Sequence, residues 1–141
     1  MKRQRLNSGD IVAVPITSNA VAVGIILHVS KYFKGAVMLG FYKQLFTSIE
    51  DVNIADISGD FIWTPSYTGR REITDGTWKV VANSPQLLAI ADIPLLRAAY
   101  DLFFKDQILR KLSGDELDNY PTLSVDGGGF LEDRLRRYFG K

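Results

Sequence analysis

Short apolar segments separated by polar turns dominate the first half of the chain. Residues 10–15 predict a strand covered on both faces, because the apolar side chains at 11–16 fall on odd and even positions alike. Residues 20–31 are rich in β-branched side chains and predict a long second strand, with a bend or bulge at Gly24. A turn at Gly35 leads into a third predicted strand over 36–43. These segments predict an antiparallel meander.

The next part of the chain predicts a short helical segment and two more strands. Residues 48–57 begin at Ser48 and carry carboxylates early, which favours one or two helical turns because both features stabilise a helix start. A fourth strand is predicted over 60–65 and a fifth over 77–82. A polar excursion over 66–76 joins them.

These elements predict an α+β fold. We expect a strongly bent antiparallel SH3-like β-barrel of about five strands over residues 9–85, because a long bent second strand is typical of small curved barrels. Residues 86–141 then wrap onto the barrel as a docked C-terminal helical region. With no linker or low-complexity tract, the 141 residues predict one domain over 1–141.

Residues 92–112 fit two patterns. Apolar positions such as Leu95, Leu102 and Leu109 keep helical spacing, and Gly114 stands where a helix would end. Two strands around a turn fit the same residues. We favour the helix.

A helix is also predicted at the C-terminal end of the chain. Three glycines at 127–129 open it, and residues 130–139 place apolar side chains on one side. Carboxylates near its start and arginines near its end complement the helix dipole.

Composition narrows the class of protein. The chain is 46% hydrophobic and 23% charged, and its formal net charge of +1 argues against bulk attraction to nucleic acid or anionic membranes. It has no cysteine, which excludes disulfides and thiol nucleophiles and fits a reducing compartment. The basic segment 1–8 runs into a strand without an apolar signal core, so we interpret it as mature sequence. The apolar run 20–29 is too short to span a bilayer.

The histidine, carboxylate and glycine residues of the chain do not form the patterns that catalysis or metal binding requires. His28 is the only histidine and lies within the predicted second strand, so a triad or a multi-histidine site cannot be built from it. Carboxylate pairs such as Glu132 with Asp133 fit solvated helix starts. The glycines at 127–129 lack the Lys-Ser/Thr of a phosphate-binding loop. We predict no catalytic residue, no metal and no cofactor.

Aromatic residues indicate a protein interface. Most aromatics of the first half are expected in the core, but Tyr32, Phe33, Tyr42 and Tyr67 lie at predicted turns or edges. Aromatic residues and arginine dominate binding hot spots, and Arg70 follows in the polar excursion. Interleaved lysines also fit a face on which nucleic-acid bases stack.

Two segments resemble a known family. The first is Gly-Asp-Ile-Val-Ala-Val-Pro-Ile at 9–16, followed by Val-Gly-Ile-Ile at 23–26. The second is Gly-Thr-Trp-Lys-Val-Val-Ala-Asn-Ser-Pro at 76–85. They are similar, in order, to the two main signatures of the immunity protein 26 family, and the likeness spans most of the chain.

The resemblance implies a cytoplasmic immunity protein of a bacterial polymorphic-toxin system. Such a protein binds the toxin domain encoded beside it, without turnover and without a membrane or nucleic-acid partner. Glu50 and Asp51 would then suit a cationic toxin by electrostatic complementarity. The residues predicted to bind the partner are Tyr32, Phe33, Tyr42, Glu50, Asp51, Tyr67, Arg70 and Arg71.

A second family shares the first segment. The MazF and PemK toxins also open with a Gly-Asp-Ile-Val strand in an SH3-like barrel, and they cleave RNA. Arginine is the usual donor to the charge that develops on phosphorus, yet no arginine occurs between Arg5 and Arg70. An RNA-cleaving toxin is therefore the alternative, and an SH3-like module that binds peptides or nucleic acid is the third interpretation.

Overall fold

The chain forms two β-sheets and three α-helices in a computed structural model that describes residues 5–141. Residues 1–4 of the basic amino-terminal segment lie outside the described residues. The strands are β1 (Asp10–Thr17), β2 (Ala20–Val29), β3 (Ala36–Phe46), β4 (Ser66–Gly69), β5 (Lys79–Asn83), β6 (Leu96–Ala98), β7 (Asp101–Phe104), β8 (Gln107–Lys111) and β9 (Val125–Asp126). The helices are α1 (Arg71–Thr74), α2 (Pro85–Ile90) and α3 (Gly128–Phe139), with 3₁₀ turns at Ile54–Asp56 and Gly114–Asn119.

The predicted meander is confirmed. Strands β1, β2 and β3 are antiparallel neighbours, and the pairing of β2 with β3 shifts register between Ala22 and Gly24. A Cβ on Gly24 would lie 3.0 Å from the ring of Phe41 on β3. The bulge predicted at Gly24 is therefore present, because only a residue without a side chain lets the ring cross the strand there.

The six-stranded sheet is covered on both faces. Its order is β5-β1-β2-β3-β4-β9, and the second sheet has the order β6-β7-β8. One face buries Val12 and Val14 with Leu131 and Leu135 of α3. The other buries residues such as Val23 and Ile25 against α2, β6 and β7. Apolar residues on both sides of β1 are thus explained by two cores that share one sheet.

The α+β class is confirmed. Pairing in the larger sheet runs from β5 at one end to β9 at the other, and no pairing among residues 5–141 joins these ends. Strand β9 pairs in parallel with β4, whereas the other neighbours in this sheet are antiparallel. Closure into an SH3-like barrel stays a prediction.

The prediction of a helix over 92–112 is wrong, and the alternative prediction of strands around a turn is confirmed. This segment forms β6, β7 and β8, which pair antiparallel. Positive φ angles at Lys105 (45°) and Asp106 (71°) make the tight turn between β7 and β8. Leu96 and Phe103 are buried against the larger sheet. Packing on that sheet thus overrides a helical spacing that is only local.

Two further predicted elements are displaced along the chain. The fourth strand is predicted over 60–65 but lies at Ser66–Gly69. Within 60–65, only Phe61 pairs with another strand, through an isolated bridge to Tyr42. The helical turns predicted over 48–57 contract to the 3₁₀ turn Ile54–Asp56. The fifth strand and the terminal helix are confirmed as β5 and α3.

Candidate protein-binding site

The two segments that carry the family likeness pair with each other. Strands β1 and β5 are antiparallel, and Asn83 Nδ2 donates to Asp10 Oδ1 at 2.9 Å and to the Ser8 carbonyl at 3.3 Å. The Ser84 amide donates to the Gly9 carbonyl at 2.9 Å, and Ser84 also caps α2. Gly9 has a φ of +93°, which favours glycine. These residues hold the two segments against each other at the edge of the larger sheet.

The tryptophan of the second segment anchors the C-terminal helix. Trp78 is fully buried, and its Nε1 donates to Glu132 Oε1 at 2.9 Å. Glu132 pairs with Arg136 at 3.3 Å, and Arg136 Nε donates to the Ile16 carbonyl at 2.6 Å. A chain of charge-assisted bonds thus joins β1, Trp78 and α3.

Asp106 lies at the centre of a polar network between the two sheets. His28 Nε2 lies 2.7 Å from Asp106 Oδ2, and the Lys31 amide donates to that oxygen at 2.7 Å. Ser30 Oγ and Tyr67 Oη donate to Asp106 Oδ1 at 2.8 and 3.2 Å. The turn between β7 and β8 is therefore fastened to β2 and β4 through one carboxylate.

The network keeps Asp106 ionised. Burial alone would raise the pKa of Asp106, but the hydrogen bonds from the Lys31 amide, His28 and Ser30 outweigh it and lower the pKa to about 2. Burial and the nearby charge of Asp106 raise the pKa of the Tyr67 phenol. A carboxylate that already accepts this many hydrogen bonds is a poor proton acceptor. The contact between His28 and Asp106 therefore stabilises the packing of the two sheets and is poorly suited to acid–base catalysis.

Aromatic residues predicted to bind a partner pack next to this network. The rings of Tyr32 and Phe33 are 4.8 Å apart, and Phe33 lies 5.0 Å from Tyr67. Tyr67 is fully buried and Phe33 is half-buried, whereas Tyr32 is 58% exposed. Only Tyr32 of these three presents most of its surface to a partner.

Two arginines predicted to bind a partner, Arg70 and Arg71, lie at the end of β4 beside the turn between β2 and β3. The Arg70 amide donates to the Gly35 carbonyl at 2.9 Å, at the turn between β2 and β3. Arg71 follows and is exposed. We call this region the turn end, and it comprises Tyr32, Phe33, Tyr67, Arg70 and Arg71.

The remaining predicted residues lie away from the turn end. Tyr42 is buried near the middle of β3, where burial raises its pKa to about 12. Glu50 and Asp51 are exposed in the loop after β3, and a hydrogen bond from Thr47 lowers the pKa of Asp51. The predicted partner-binding residues therefore do not form one surface.

A groove of about 470 Å³ lies beside Tyr42. Segments 59–65 and 87–94 supply most of its walls, and Pro121 completes it. Its size is within the range of roughly 300–1,000 Å³ that is typical of ligand pockets. Ile90 is 78% exposed at its rim. We call this cleft the groove.

A second surface adjoins the groove through Trp63. Trp63, Phe130, Arg134, Arg137 and Tyr138 line an open depression of about 420 Å³ on α3, which we call the helix patch. The Arg134 guanidinium lies 4.1 Å from the Trp63 ring centroid, and the Trp63 and Tyr138 rings are 6.4 Å apart. Phe130 and Tyr138 are about half exposed. This composition of tryptophan, tyrosine and arginine is that of a binding hot spot.

Sequence reasoning missed this surface. Phe130, Arg134 and Tyr138 recur every four residues on α3, so their shared face could have been found from helical spacing. The sequence predicts that Leu131, Leu135 and Tyr138 share the apolar side of the helix and that Arg134 complements its dipole; Leu131 and Leu135 are buried, but Tyr138 is 48% exposed. The approach of Trp63 to α3 has no local signal, since it joins residues far apart in the chain.

No group of three or more His, Cys, Asp or Glu side chains in residues 5–141 is placed to hold a metal ion. No helix of the described residues is long and apolar enough to cross a membrane.

Fold and site together define a mixed α+β protein whose exposed aromatic and arginine side chains suit contact with another protein. The chain belongs to the immunity protein 26 family, whose model matches residues 7–100. Neither a curated protein nor a solved structure matches the chain. The family likeness found in 9–16 and 76–85 is confirmed, and the family implies a toxin as partner in general.

Proposed function

We propose that this protein binds the toxin domain encoded beside it and neutralises that toxin without turnover. The observation that carries the proposal is the match to the immunity protein 26 family over residues 7–100. The protein would act in the cytoplasm of the producing bacterium as a single domain, with its larger sheet as a variant of the SH3-like barrel. It needs no cofactor for inhibition by binding.

The proposed contact surface consists of the groove and the helix patch, which share Trp63. A concave apolar region beside exposed aromatic and arginine side chains supports this choice, because hot spots cluster around such anchors. Tyr32, Arg70 and Arg71 of the turn end form a second proposed contact. Phe33, Tyr42 and Tyr67 would support these surfaces from within.

Co-expression with the neighbouring toxin domain tests the function. Host cells that carry the toxin domain should survive when this protein is present and die when it is absent. Continued killing despite soluble expression of this protein would sink the proposal.

Matched tyrosine variants test the surface. Tyr138 in the helix patch and Tyr100 on the β6–β7 turn are 48% and 57% exposed. Tyr138→Ala should weaken binding of the toxin domain by about thirtyfold or more, since loss of a hot spot costs ~2 kcal/mol or more. Tyr100→Ala should leave binding unchanged, and Tyr32→Ala reports on the turn end. Equal affinity of the Tyr138→Ala and Tyr100→Ala variants in calorimetry would remove the helix patch from the interface.

One observation favours a second candidate, an RNA-cleaving toxin. The Arg70 amide bonds to Gly35 in the turn that follows β2, and His28 near the end of β2 bonds to Asp106, so an arginine and a His–Asp pair belong to the same end of the sheet. The low pKa of Asp106 weighs against proton transfer by that pair. Specific cleavage of RNA by the purified chain, lost in Arg70→Ala, would support the toxin instead.

A further inference from the structure

The groove carries negative charge on both of its walls. Asp60 belongs to the wall formed by 59–65, and Asp92 belongs to the wall formed by 87–94. Both side chains are exposed. No lysine or arginine of residues 5–141 lines the groove. A segment that enters it therefore meets one carboxylate on each side and no cation.

These carboxylates are not neutralised within the described part of the chain. Neither Asp60 nor Asp92 forms an ion pair with a residue in 5–141, unlike Glu116, which pairs with Arg110 at 2.7 Å. The formal net charge of the protein is +1, so the attraction of a basic segment to this cleft comes from its two carboxylates and not from the charge of the whole chain. Local charge of this kind steers and selects a partner of opposite sign.

The groove also offers an apolar surface between the carboxylates. The rings of Phe61 and Tyr42 lie 5.2 Å apart, and the largely buried Leu87 lies among the lining residues. Phe61 packs directly over Gly40, where a Cβ would lie 2.6 Å from its ring. Ile90 leaves 78% of its surface exposed at the rim. An apolar side chain of a partner that covered Ile90 would therefore stabilise the complex.

We propose that the groove binds a basic segment of the toxin domain. An apolar side chain of that segment packs between Phe61 and Ile90, and its flanking Lys or Arg residues pair with Asp60 and Asp92. This inference rests on the proposed function and names the chemistry of the partner segment. It assigns specificity to two carboxylates that occur in neither family signature.

Calorimetry with the neighbouring toxin domain, in a catalytically inactive form, tests the charge requirement. Asp60→Asn with Asp92→Asn keeps the shape of the groove and should weaken binding on the order of tenfold, and Lys at both positions should weaken it further. Asp115→Asn with Asp118→Asn removes two exposed carboxylates outside the groove and is the matched control. Far-ultraviolet circular dichroism and urea unfolding check that all variants fold. Wild-type affinity of the double lysine variant would overturn the inference.

An arrayed peptide library tests the groove without the toxin. Hexapeptides with a central Leu, Ile or Phe flanked by Lys and Arg should bind the wild-type chain, and the same peptides flanked by Glu should not. Ile90→Ser and the double Asn variant should each reduce the basic signal. Equal binding of basic and acidic peptides would overturn the groove assignment.

The two proposals fail in different ways. If the wild-type protein protects cells and the double lysine variant protects equally well, the groove assignment is wrong and the immunity function stands. If basic peptides bind the groove but the neighbouring toxin kills despite soluble protein, the immunity function is wrong. In that case the chain is a peptide-binding module that selects basic segments.

Discussion

At the scale of single residues, Asp106 accepts more hydrogen bonds than any other side chain among residues 5–141. It is the acceptor for His28, Ser30, Tyr67 and the Lys31 amide, and so joins the two sheets. Hydrogen bonds to a charged, largely buried group contribute more to stability than neutral ones. Asp106, in the turn between β7 and β8, thereby holds the sheet of β6, β7 and β8 against the larger sheet.

Asp106→Asn should destabilise the protein. The amide keeps the shape of the side chain but turns one acceptor oxygen into a donor that faces other donors, at a cost of about 2 kcal/mol or more. Urea unfolding followed by tryptophan fluorescence measures the change. Asp115→Asn, an exposed carboxylate with no side-chain partner in residues 5–141, is the control. Equal midpoints for the two variants would contradict this role.

The same residue predicts a pH dependence. Because the pKa of Asp106 is about 2 in the folded protein and 3.8 is its ordinary value, its contribution to the free energy of unfolding is present above the ordinary value. It is lost as the pH falls through about 2. The difference in unfolding free energy between wild type and Asp106→Asn should therefore shrink over this acidic range. A constant difference would show that the network does not depend on the charge.

Gly9 and Gly35 form a matched pair for the family signature. Both have positive φ angles, +93° and +78°, so alanine at either position costs about 1 kcal/mol of backbone strain. Only at Gly9 would a Cβ meet a neighbour, Asn83 Nδ2 at 3.3 Å, whose bond to Asp10 it would disturb. Gly9→Ala should therefore lower the thermal midpoint more than Gly35→Ala. The reverse order in calorimetric scans would contradict the structural role of the first segment.

At the scale of elements, α3 is docked by hydrogen bonds from Trp78 to Glu132 and from Arg136 to the Ile16 carbonyl, as well as by its apolar face. Trp78 and Trp63 both lie near α3, but only the Trp78 Nε1 has an acceptor, Glu132; that of Trp63 has none among residues 5–141. The two tryptophans therefore separate the effect of the hydrogen bond from that of ring size.

Trp78→Phe should loosen the helix and Trp63→Phe should not. The first change removes a charge-assisted bond and leaves a cavity, at a combined cost of roughly 2–4 kcal/mol. The second removes an N–H that has no partner and keeps an aromatic ring beside Arg134. Hydrogen exchange of the α3 amides, read by mass spectrometry, should rise in Trp78→Phe alone. Equal exchange in the two variants would show that apolar packing is sufficient to hold the helix.

At the scale of the whole molecule, the N-terminal and C-terminal parts depend on each other. One face of the larger sheet is covered by Leu131 and Leu135, and the other is covered by Leu96 and Phe103. All four follow the last strand of the region predicted to be a barrel, 9–85. Without them, both faces of the sheet would lose cover over residues that are now buried, such as Val12 and Val14 on one face and Val23 and Ile25 on the other.

The chain should therefore unfold in a single transition. Fluorescence and far-ultraviolet circular dichroism should give coincident urea curves, as two-state behaviour requires. A truncated chain of residues 1–85 should lack cooperative unfolding, because it loses the cover of both faces. Two separate transitions, or a cooperative truncated chain, would show that the barrel region is a domain of its own.

Local signals account for the part of the fold that was predicted correctly. Strands β1 to β3, β5 and helix α3 each follow from a pattern within one segment: β-branched runs, the turn at Gly35, and a glycine opening before an amphipathic helix. The family likeness in 9–16 and 76–85 is local too, and the structure explains it by the pairing of β1 with β5. At 92–112 two local patterns fit the same residues, and only packing against the larger sheet decides for strands.

Tertiary structure decided the rest, because the deciding contacts join residues far apart in the chain. The β7–β8 hairpin is held by Asp106 contacts more than seventy positions away, at His28 and Ser30. The groove needs segments 59–65 and 87–94 side by side, and the helix patch needs Trp63 beneath Arg134. By itself the sequence determined the α+β class, the strands of the meander and the family. The surfaces on which a partner can be recognised exist only after both sheets and α3 have packed, since each surface is shared between separate elements.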